Sequence, residues 1–393
     1  MQAYFSGEIF PWEYAFLKKG GVTMKQLSLY SEIYVFDTFR EFAEEFKISS
    51  EDLIFTRKAF LPYFEVLKEK PHFLFNDDFG KGEPTDRVID KMLAAVKEIN
   101  YKRVVAIGGG SVVDIAKLFA LKPAENAKQL FLREVPIIKE KELVIIPTTC
   151  GTGSEVSNIS IASIESMNTK FGLADKALFA DQAVLIPELL KDLPFKVIVN
   201  SSVDALVHAS ESYLSPKATH FTETFSKEAI RDIIGTYKKA AANGNKFSLE
   251  DIKTLLIAST YAGIAFGHAG TAVVHAMAYP LGAVYHVPHG EANHQFFVSC
   301  FKYYAEKKPD GKIENIAQIL SEIIGCKKEN AFEEMGNIIE SLLPLKKLKE
   351  YGMKEEECAS FAESVIKNQQ RLLVNSYITV PQEDIEKIYK ERF

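Results

Sequence analysis

Short apolar runs alternate with helix-like stretches through the first half of this chain, and this alternation constrains the fold more than any other feature. The apolar runs lie at residues 33–36, 53–56, 72–76, 104–107 and 143–146. Stretches with a helical spacing of apolar residues lie at 39–46, 59–67, 85–99 and 112–121. Because continuous apolar strands are typical of sheets covered on both faces, the pattern predicts βαβ units around a mostly parallel sheet.

The pattern changes after Pro187. Strand-like runs almost vanish, and helical periodicity appears at residues 203–213, 222–241, 249–266, 271–281, 313–324, 331–342, 358–369 and 382–391. A chain of 393 residues is long for one hydrophobic core, so two domains are expected. We predict an N-terminal extension at 1–23, an α/β domain at 24–190 and an all-helical domain at 191–393.

Composition argues against several classes of protein. A net charge of -6 makes nucleic acid an unexpected partner. The chain has no run of about 18 uncharged apolar residues, and residues 1–23 lack the basic start of a signal peptide, so we expect neither a membrane span nor export. The four cysteines form no CxxC pair, which disfavours a disulfide scaffold and a thiolate zinc site and fits the cytoplasm.

A glycine turn is the first motif with chemical meaning. In AIGGGSVVDIAK, residues 106–117, a predicted strand passes through three glycines into a predicted helix. Glycines let a ligand approach the backbone closely, and the free N–H groups at a helix N-terminus attract a phosphate. The motif is not GxGxxG, and an ordinary tight strand–helix connection accounts for it equally well.

A loop rich in hydroxyl groups follows the next predicted strand, in IIPTTCGTGSEVS at residues 145–157. Ligands of open α/β sheets collect at the carboxyl ends of the strands, so this loop and the glycine turn are expected to meet there. Alone, the loop is typical of a polar surface segment. Together, the two segments favour one nucleotide that spans both.

The histidines are unevenly distributed, because seven of the eight lie between residues 208 and 294. Asp204 and His208 are four residues apart and share one face of a predicted helix, as two ligands of one ion require. His275 and His289 add two imidazoles, and such a set suits Fe²⁺ or Zn²⁺. From spacing alone, three further histidines compete for the ligand positions: His268, His286 and His294.

Four motifs, in this order, resemble the iron-containing (group III) alcohol dehydrogenase family along residues 27–393. The family's GGGSxxDxAK matches residues 108–117, and its PTTxGTGSE matches residues 147–155. Its DAxxH matches residues 204–208, and its HxMxxPLG with a later PHG matches residues 275–290. The resemblance implies a Rossmann-like dinucleotide-binding domain followed by an all-helical metal-binding and catalytic domain, the dehydroquinate synthase-like fold.

The resemblance also implies roles for individual residues. The implied metal ligands, for Fe²⁺ or alternatively Zn²⁺, are Asp204, His208, His275 and His289. The implied cofactor-binding residues are Gly109, Gly110, Ser111, Asp114, Thr148, Thr149, Thr152 and Lys170. Many relatives carry a second histidine where this chain has Tyr279, so His286 or Tyr279 is expected to relay the proton. NAD is the expected cofactor, with NADP as the alternative because Arg57 stands where many relatives have an aspartate.

The resemblance is strongest to members of the family that act on 4-hydroxybutyrate, through residues 148–155, 285–293, 351–357 and 369–375. It implies hydride transfer between this hydroxy acid and NAD, with succinate semialdehyde as the product. A general primary alcohol or diol dehydrogenase is the alternative, and a non-redox lyase on the same superfold is a more distant one. Arg371 is one candidate for the substrate carboxylate, although an ordinary surface arginine fits as well. We expect a homodimer or a higher homo-oligomer.

Overall fold

The computed structural model describes residues 25–80, 84–167 and 169–393, so the predicted extension at 1–23 lies outside the described residues. The strands in this part of the chain are β1 (Glu32–Val35), β2 (Asp52–Thr56), β3 (His72–Phe75), β4 (Arg103–Gly108), β5 (Glu142–Pro147), β6 (Ile159–Ile164), β7 (Thr169–Ala174) and β8 (Gln182–Leu185). Six of them form one sheet in the order β1-β8-β5-β4-β2-β3, with every neighbouring pair parallel. β6 and β7 form a separate antiparallel pair.

All five predicted strands lie in the parallel sheet, which confirms the predicted fold class. β6, β7 and β8 were not predicted. β6 carries Ser160 and Ser163 among its apolar residues, and β8 has only four residues, so neither gives a long apolar run. Residues alternate between the two faces of the sheet, and Ile54 and Val105 therefore join a different buried cluster from Phe55.

Helices cover the sheet. They are α1 (Phe39–Glu45), α2 (Asp86–Lys97), α3 (Gly110–Phe119) and α4 (Ala127–Phe131). The helix-like segment predicted at 59–67 is helical, and Lys58–Val66 forms a 3₁₀ helix rather than an α-helix. Pro62 lies inside it and lacks the N–H group that a continuous α-helix would use.

The second half of the described chain is helical after β8, as predicted. Its helices are α5 (Phe195–Leu214), α6 (His220–Ala242), α7 (Leu249–Ala269), α8 (Val273–Tyr285), α9 (His289–Lys307), α10 (Lys312–Ile324), α11 (Ala331–Leu342), α12 (Glu357–Asn368), α13 (Gln370–Leu373) and α14 (Gln382–Arg392). Within the described ranges, none of these helices combines the length and apolarity needed to cross a bilayer.

The sequence did not predict α9, which lies at the centre of the helical half and packs against α5 and α8. Its buried residues include Glu291, Asn293, His294 and Gln295. Apolar periodicity is the signal by which a buried helix is recognised in a sequence, and a polar buried face removes it. A polar face on a central helix therefore points to chemistry in this part of the fold.

Two close backbone approaches bring the functional segments together. The N–H of Thr148, after β5, donates to the carbonyl of Gly108, at the end of β4, at 2.9 Å. A Cβ atom on Gly153 would lie 2.4 Å from the Cα atom of Gly263 in α7. Only a glycine allows this approach, so the loop after β5 lies directly against the helical half.

Candidate active site

Three helices bring four potential metal ligands together, and we call Asp204, His208, His275 and His289 the ligand cluster. The Nε2 atoms of the three histidines lie 3.9, 3.5 and 3.5 Å from Asp204 Oδ1, in chain order. Four ligands held about 2.1 Å from one ion in a tetrahedron are roughly 3.4 Å apart. Asp204, His208 and His275 have ligand atoms that all lie within 4.8 Å of one another, and His289 Nε2 lies near the same carboxylate. These residues could hold one ion, and nitrogen and oxygen ligands suit Fe²⁺ or Zn²⁺.

A buried carboxylate that the sequence did not single out orients His275. Glu211 accepts a hydrogen bond from His275 Nδ1 at 2.7 Å, and its two oxygens also accept from the N–H groups of Ala272 and Val274. Because Nδ1 is engaged by Glu211, Nε2 is the ring nitrogen that faces the cluster. Glu211 is seven residues after Asp204 on α5, so helical spacing in this motif could have identified it.

His208 is oriented by the loop that follows β5. Its Nδ1 donates to the carbonyl of Gly151 at 3.2 Å, because a carbonyl oxygen can only accept. The His208 ring is stacked between Phe266, 4.3 Å away, and His275, 4.6 Å away. These contacts fix the ring plane and leave Nε2 free for the ion.

Asn293 is a second residue that the sequence did not single out. One turn after His289 on α9, its amide Nδ2 donates to Asp204 Oδ1 at 2.7 Å. The same Nδ2 lies 3.2 Å from His275 Nε2 and 3.4 Å from His289 Nε2. The Oδ1 atom of Asn293 is buried without a hydrogen-bond partner among the described residues. An amide donor that meets three ligand atoms marks the point on which the cluster converges.

Burial and charge divide the cluster into a closed side and an open side. Asp204, His208 and His275 are buried, whereas the His289 side chain is 47% exposed. Burial lowers the pKa of His208 to about 3 despite the nearby Asp204 carboxylate. Burial alone would lower the pKa of His275, but hydrogen bonds with Asp204 and Glu211 raise it to about 10. Among these four residues only His289 has an exposed side chain, so its side is the open side of the cluster.

The glycine turn and the hydroxyl-rich loop form what we call the cofactor edge, residues 108–111 with 148–155. α3 begins at Gly110, and its N-cap Gly109 provides no side chain to occupy the free N–H groups. A Cβ on Gly109 would lie 3.3 Å from Thr149 Cγ2, and one on Gly110 would lie 2.8 Å from Thr152 Cγ2. The two segments thus pack closely around an uncapped helix N-terminus, an arrangement that suits a pyrophosphate.

The Asp114 carboxylate makes its hydrogen bonds within the protein. It accepts from Ser154 Oγ at 2.6 Å and from the N–H of Ile161 at 3.1 Å. The completely buried Lys117 donates to Ser154 Oγ and to the carbonyl of Ile159, both at 2.7 Å. Burial raises the pKa of Asp114 and lowers the pKa of Lys117 to about 8. This network attaches α3 to the hydroxyl-rich loop, and it gives a structural role to Lys117, the last residue of the GGGSxxDxAK match.

One loop connects the cofactor edge with the ligand cluster. Thr149 and Thr152 face the glycine turn, and Gly151 between them accepts the hydrogen bond from His208. In the same loop, Glu155 is buried and accepts from Thr260 Oγ1 of α7 at 2.7 Å. The two halves of the site therefore share a rigid element of eight residues, 148–155.

Three further predicted site residues, Tyr279, His286 and Lys170, lie at the margin of the site or away from it. The Tyr279 ring lies 6.0 Å from the His289 ring, beside the open side of the cluster. His286 is exposed in a left-handed conformation after α8, and it makes no contact with the ligand cluster in the described part of the chain. Lys170 pairs with Ser163 across the β6–β7 pair, and its side chain lies outside what the structure describes.

His268 and His294, which spacing alone also allowed as ligands, lie outside the ligand cluster. His268 Nε2 accepts from the N–H of Ser28 at 3.0 Å, and its Nδ1 donates to the carbonyl of Ile264 at 2.9 Å. His294 is buried on α9, where burial and the charge of Arg392 lower its pKa to about 3. Neither ring joins the ligand cluster.

A cluster of three imidazoles and one carboxylate beside an uncapped helix N-terminus is an arrangement that suits a metal-dependent dinucleotide enzyme. The sequence profile described as "Iron-containing alcohol dehydrogenase" matches residues 32–187. The profile described as "Fe-containing alcohol dehydrogenase family, C-terminal" matches residues 198–393. The chain belongs to the iron-containing alcohol dehydrogenase family.

Individual relatives agree with this assignment. The chain is 46% identical to the 4-hydroxybutyrate dehydrogenase of Clostridium kluyveri over 94% of its own length and 100% of that protein. It is 34% identical to the long-chain-alcohol dehydrogenase 1 of Geobacillus thermodenitrificans, over 79% of this chain and 80% of the relative.

Solved structures share the fold. Sulfoacetaldehyde reductase from Bifidobacterium kashiwanohense, solved in complex with NAD⁺, superimposes with a TM-score of 0.82 over 94% of this chain and 99% of its own, at 19% identity. A 1,3-propanediol oxidoreductase gives a TM-score of 0.80 over 94% and 100% of the two chains, at 22% identity. The predicted family, fold class and enzyme class, an iron-type alcohol dehydrogenase, are confirmed.

Proposed function

We propose that the protein oxidises 4-hydroxybutyrate to succinate semialdehyde, with NAD as the hydride acceptor and Fe²⁺ in the ligand cluster. The observation that carries the activity is the single loop, residues 148–155, that joins an uncapped helix N-terminus to a four-ligand cluster. The choice of 4-hydroxybutyrate as the substrate rests on the 46% identity to a 4-hydroxybutyrate dehydrogenase over that protein's full length. Iron is the metal that both family descriptions name.

Oxidation removes a hydride from the carbinol carbon and a proton from the hydroxyl oxygen. When bound, the metal supplies Lewis acidity at that oxygen, and the nicotinamide takes up the hydride. The chain orients His275 through Glu211, His208 through Gly151 and Asp204 through Asn293. His289 faces the solvent.

The proton has to leave from the open side of the cluster. Tyr279 is beside His289 and is partly exposed, so we propose it as the first group of the relay, with His286 as the alternative. A relay needs a group that can exchange protons within hydrogen-bond reach of the substrate oxygen. A Tyr279→Phe variant keeps the ring and removes only the hydroxyl, which makes it the direct test of this role.

We propose NAD rather than NADP because of the charges at the ends of β2 and β3. The Arg57 guanidinium pairs with Asp77 Oδ1 at 3.4 Å, and Asp77 Oδ2 accepts from the N–H of Lys58 at 2.8 Å. Burial opposes ionisation of Asp77, but these hydrogen bonds and the Arg57 charge hold its pKa below the ordinary value. An ionised carboxylate accepts from ribose hydroxyls and repels a 2′-phosphate.

The experiment that tests the proposal is a rate panel on the purified protein loaded with Fe²⁺ or with Zn²⁺. Formation of the reduced nicotinamide is followed with NAD and with NADP, for 4-hydroxybutyrate, 1-butanol, 1,4-butanediol and 1-octanol. We expect the highest kcat/KM with 4-hydroxybutyrate and NAD. Faster turnover of the uncharged alcohols would favour a general alcohol dehydrogenase, and no reduction of either cofactor would contradict the proposal.

We further propose that the protein acts in the cytoplasm as a homodimer or a higher homo-oligomer, with a domain division near residue 190. β1 is an edge strand of the sheet, and its exposed residues include Ile33 and Val35. Exposed apolar side chains on an unpaired strand edge favour pairing with a second copy. Light scattering on an Ile33→Lys variant tests this, because a monomer is expected where the wild type is an oligomer.

A further inference from the structure

Arg371 lies on the open side of the ligand cluster. Its guanidinium carbon is 5.8 Å from the centre of the Tyr279 ring, and that ring is 6.0 Å from the ring of His289, the exposed ligand. α13, which carries Arg371, packs against α8, which carries Tyr279. The arginine is therefore next to the open side of the cluster.

The backbone of α13 is held in place at this position. Asn375 Nδ2 donates to the carbonyl of Thr271 at 2.9 Å, just before α8 begins, and also to the carbonyl of Arg371 at 3.3 Å. Asn375 itself is buried. Although the Arg371 side chain is exposed, its attachment point is fixed relative to the helix that provides His275 and Tyr279.

The positive charge of the Arg371 guanidinium is available to an anionic ligand, because Arg371 makes no ion pair with any described residue. Lys196, by contrast, already pairs with the buried Glu291 at 3.3 Å. A guanidinium over the face of an aromatic ring makes no hydrogen bond to that ring, so its N–H groups remain available along the edge of its plane. That edge matches a carboxylate, which accepts two parallel hydrogen bonds from it.

The separation between Arg371 and the cluster suits a short hydroxy acid. Adding the 5.8 Å and 6.0 Å separations places the guanidinium carbon at most about 12 Å from the centre of the His289 ring. An extended four-carbon hydroxy acid with a polar contact at each end covers roughly 10 Å. Its hydroxyl group can therefore face the cluster while its carboxylate reaches Arg371.

We infer that Arg371 binds the carboxylate of an ω-hydroxy acid substrate and thereby determines selectivity against uncharged alcohols. This inference rests on the proposed function, because it concerns the far end of the substrate at the same site. Arg371 does not touch the reacting carbon. It acts as a specificity residue, and the Tyr279 ring lies next to its guanidinium.

The test compares the ratio of kcat/KM for 4-hydroxybutyrate to kcat/KM for 1-butanol in the Fe²⁺-loaded wild type and in Arg371→Gln. We expect the ratio to fall by about 10- to 100-fold, mainly through a higher KM for the hydroxy acid, because one charge-assisted contact is lost. Arg371→Lys keeps the charge without the planar fork and should give an intermediate ratio. Butyrate, which carries the carboxylate without the hydroxyl, should inhibit the wild type more strongly than Arg371→Gln.

Two control variants separate recognition from general effects. Lys367→Gln removes a positive charge from an exposed position in the preceding helix, and it should leave the ratio unchanged. Tyr279→Phe keeps the ring under the guanidinium, so it should slow both substrates while preserving the ratio.

The outcomes are distinguishable. If the wild type prefers 4-hydroxybutyrate and Arg371→Gln keeps the same ratio of kcat/KM values, the inference alone is overturned. An equal loss of kcat/KM on both substrates leaves that ratio unchanged and has the same consequence. A wild type that prefers 1-butanol would overturn both the inference and the substrate of the proposed function.

Discussion

The ligand cluster and the cofactor edge are adjacent, but the first is formed by side chains and the second mainly by backbone. The cluster consists of side chains from three helices, and three of its four members are oriented by other groups: His275 by Glu211, His208 by Gly151 and Asp204 by Asn293. The cofactor edge consists mainly of backbone, with glycines packed against threonine methyl groups around an uncapped helix. A metal needs deprotonated ligands at fixed distances, whereas a pyrophosphate needs N–H groups and room.

This difference predicts that substitutions will separate the two binding functions. Changes to side chains around the cluster should alter metal affinity and leave the nucleotide affinity nearly unchanged. Changes that add atoms to the cofactor edge should do the reverse. The shared loop at 148–155 is the place where the separation can fail, because Gly151 serves the cluster from within the cofactor edge.

The largest effect is expected from His275→Ala. This substitution removes one ligand and leaves the buried Glu211 without its histidine partner, so the bound iron should fall below about one tenth per chain and kcat/KM by about a thousandfold or more. Metal analysis of the dialysed protein and turnover are measured on the same samples. The control is His220→Ala, which removes an exposed histidine outside the cluster. Full turnover of His275→Ala with metal retained would disprove the ligand assignment.

The next effect is expected at the cofactor edge, from Gly110→Ala. The added Cβ would lie 2.8 Å from Thr152 Cγ2, so the two segments must separate, and the Kd for NAD should rise by about 10- to 100-fold with the metal content unchanged. Titration of the protein with NAD measures the effect. The double variant Gly110→Ala/Thr152→Ser removes the methyl group that the Cβ meets, and it should recover most of the affinity. Without such recovery, the close packing is not the cause.

Glu211→Gln tests whether the cluster depends on the residues that orient its ligands. The amide replaces one acceptor oxygen with a donor next to groups that themselves donate, so the iron affinity should fall by about 10-fold and at most about 100-fold. Competition with a chelator gives the affinity, and the Kd for NAD should stay within threefold of the wild type. Glu228→Gln, at an exposed position on α6, is the matched control. Equal iron affinities in the two variants would show that Glu211 has no part in holding the metal.

The same difference explains how much of the molecule the sequence could predict. The parallel sheet and the cofactor edge follow from local patterns, since apolar runs mark the strands and consecutive glycines mark the turn. The ligands came from a resemblance to a family, because spacing alone left His268 and His294 in competition with them. Only the packing of α7 and α9 shows that His268 bonds elsewhere and that His294 is buried outside the cluster.

The residues that support the ligands were harder to predict. Glu211 and Lys117 are charged residues within helices, and charged residues are normally exposed. Their burial makes sense only when the groups that they meet are known, and those groups lie far along the chain, such as the backbone N–H groups of 272 and 274. Asn293 was not predicted because its helix, α9, was not predicted. The polar residues that α9 buries at the site interrupt the apolar periodicity by which a helix is recognised in a sequence.

The smallest effect is expected from Phe266→Leu, which tests stacking rather than hydrogen bonding in the cluster. The Phe266 ring stacks on His208 at 4.3 Å, while the Gly151 carbonyl holds the same imidazole through Nδ1. Aromatic stacking contributes about 0.5–1.5 kcal/mol beyond burial, so the iron affinity should fall by about 2- to 10-fold. The control is Phe225→Leu on α6, which loses the same volume beside Tyr261. If both variants lose affinity equally, packing of the helices holds His208. If only Phe266→Leu does, the ring itself orients the ligand, and side chains define the cluster even where backbone supports it.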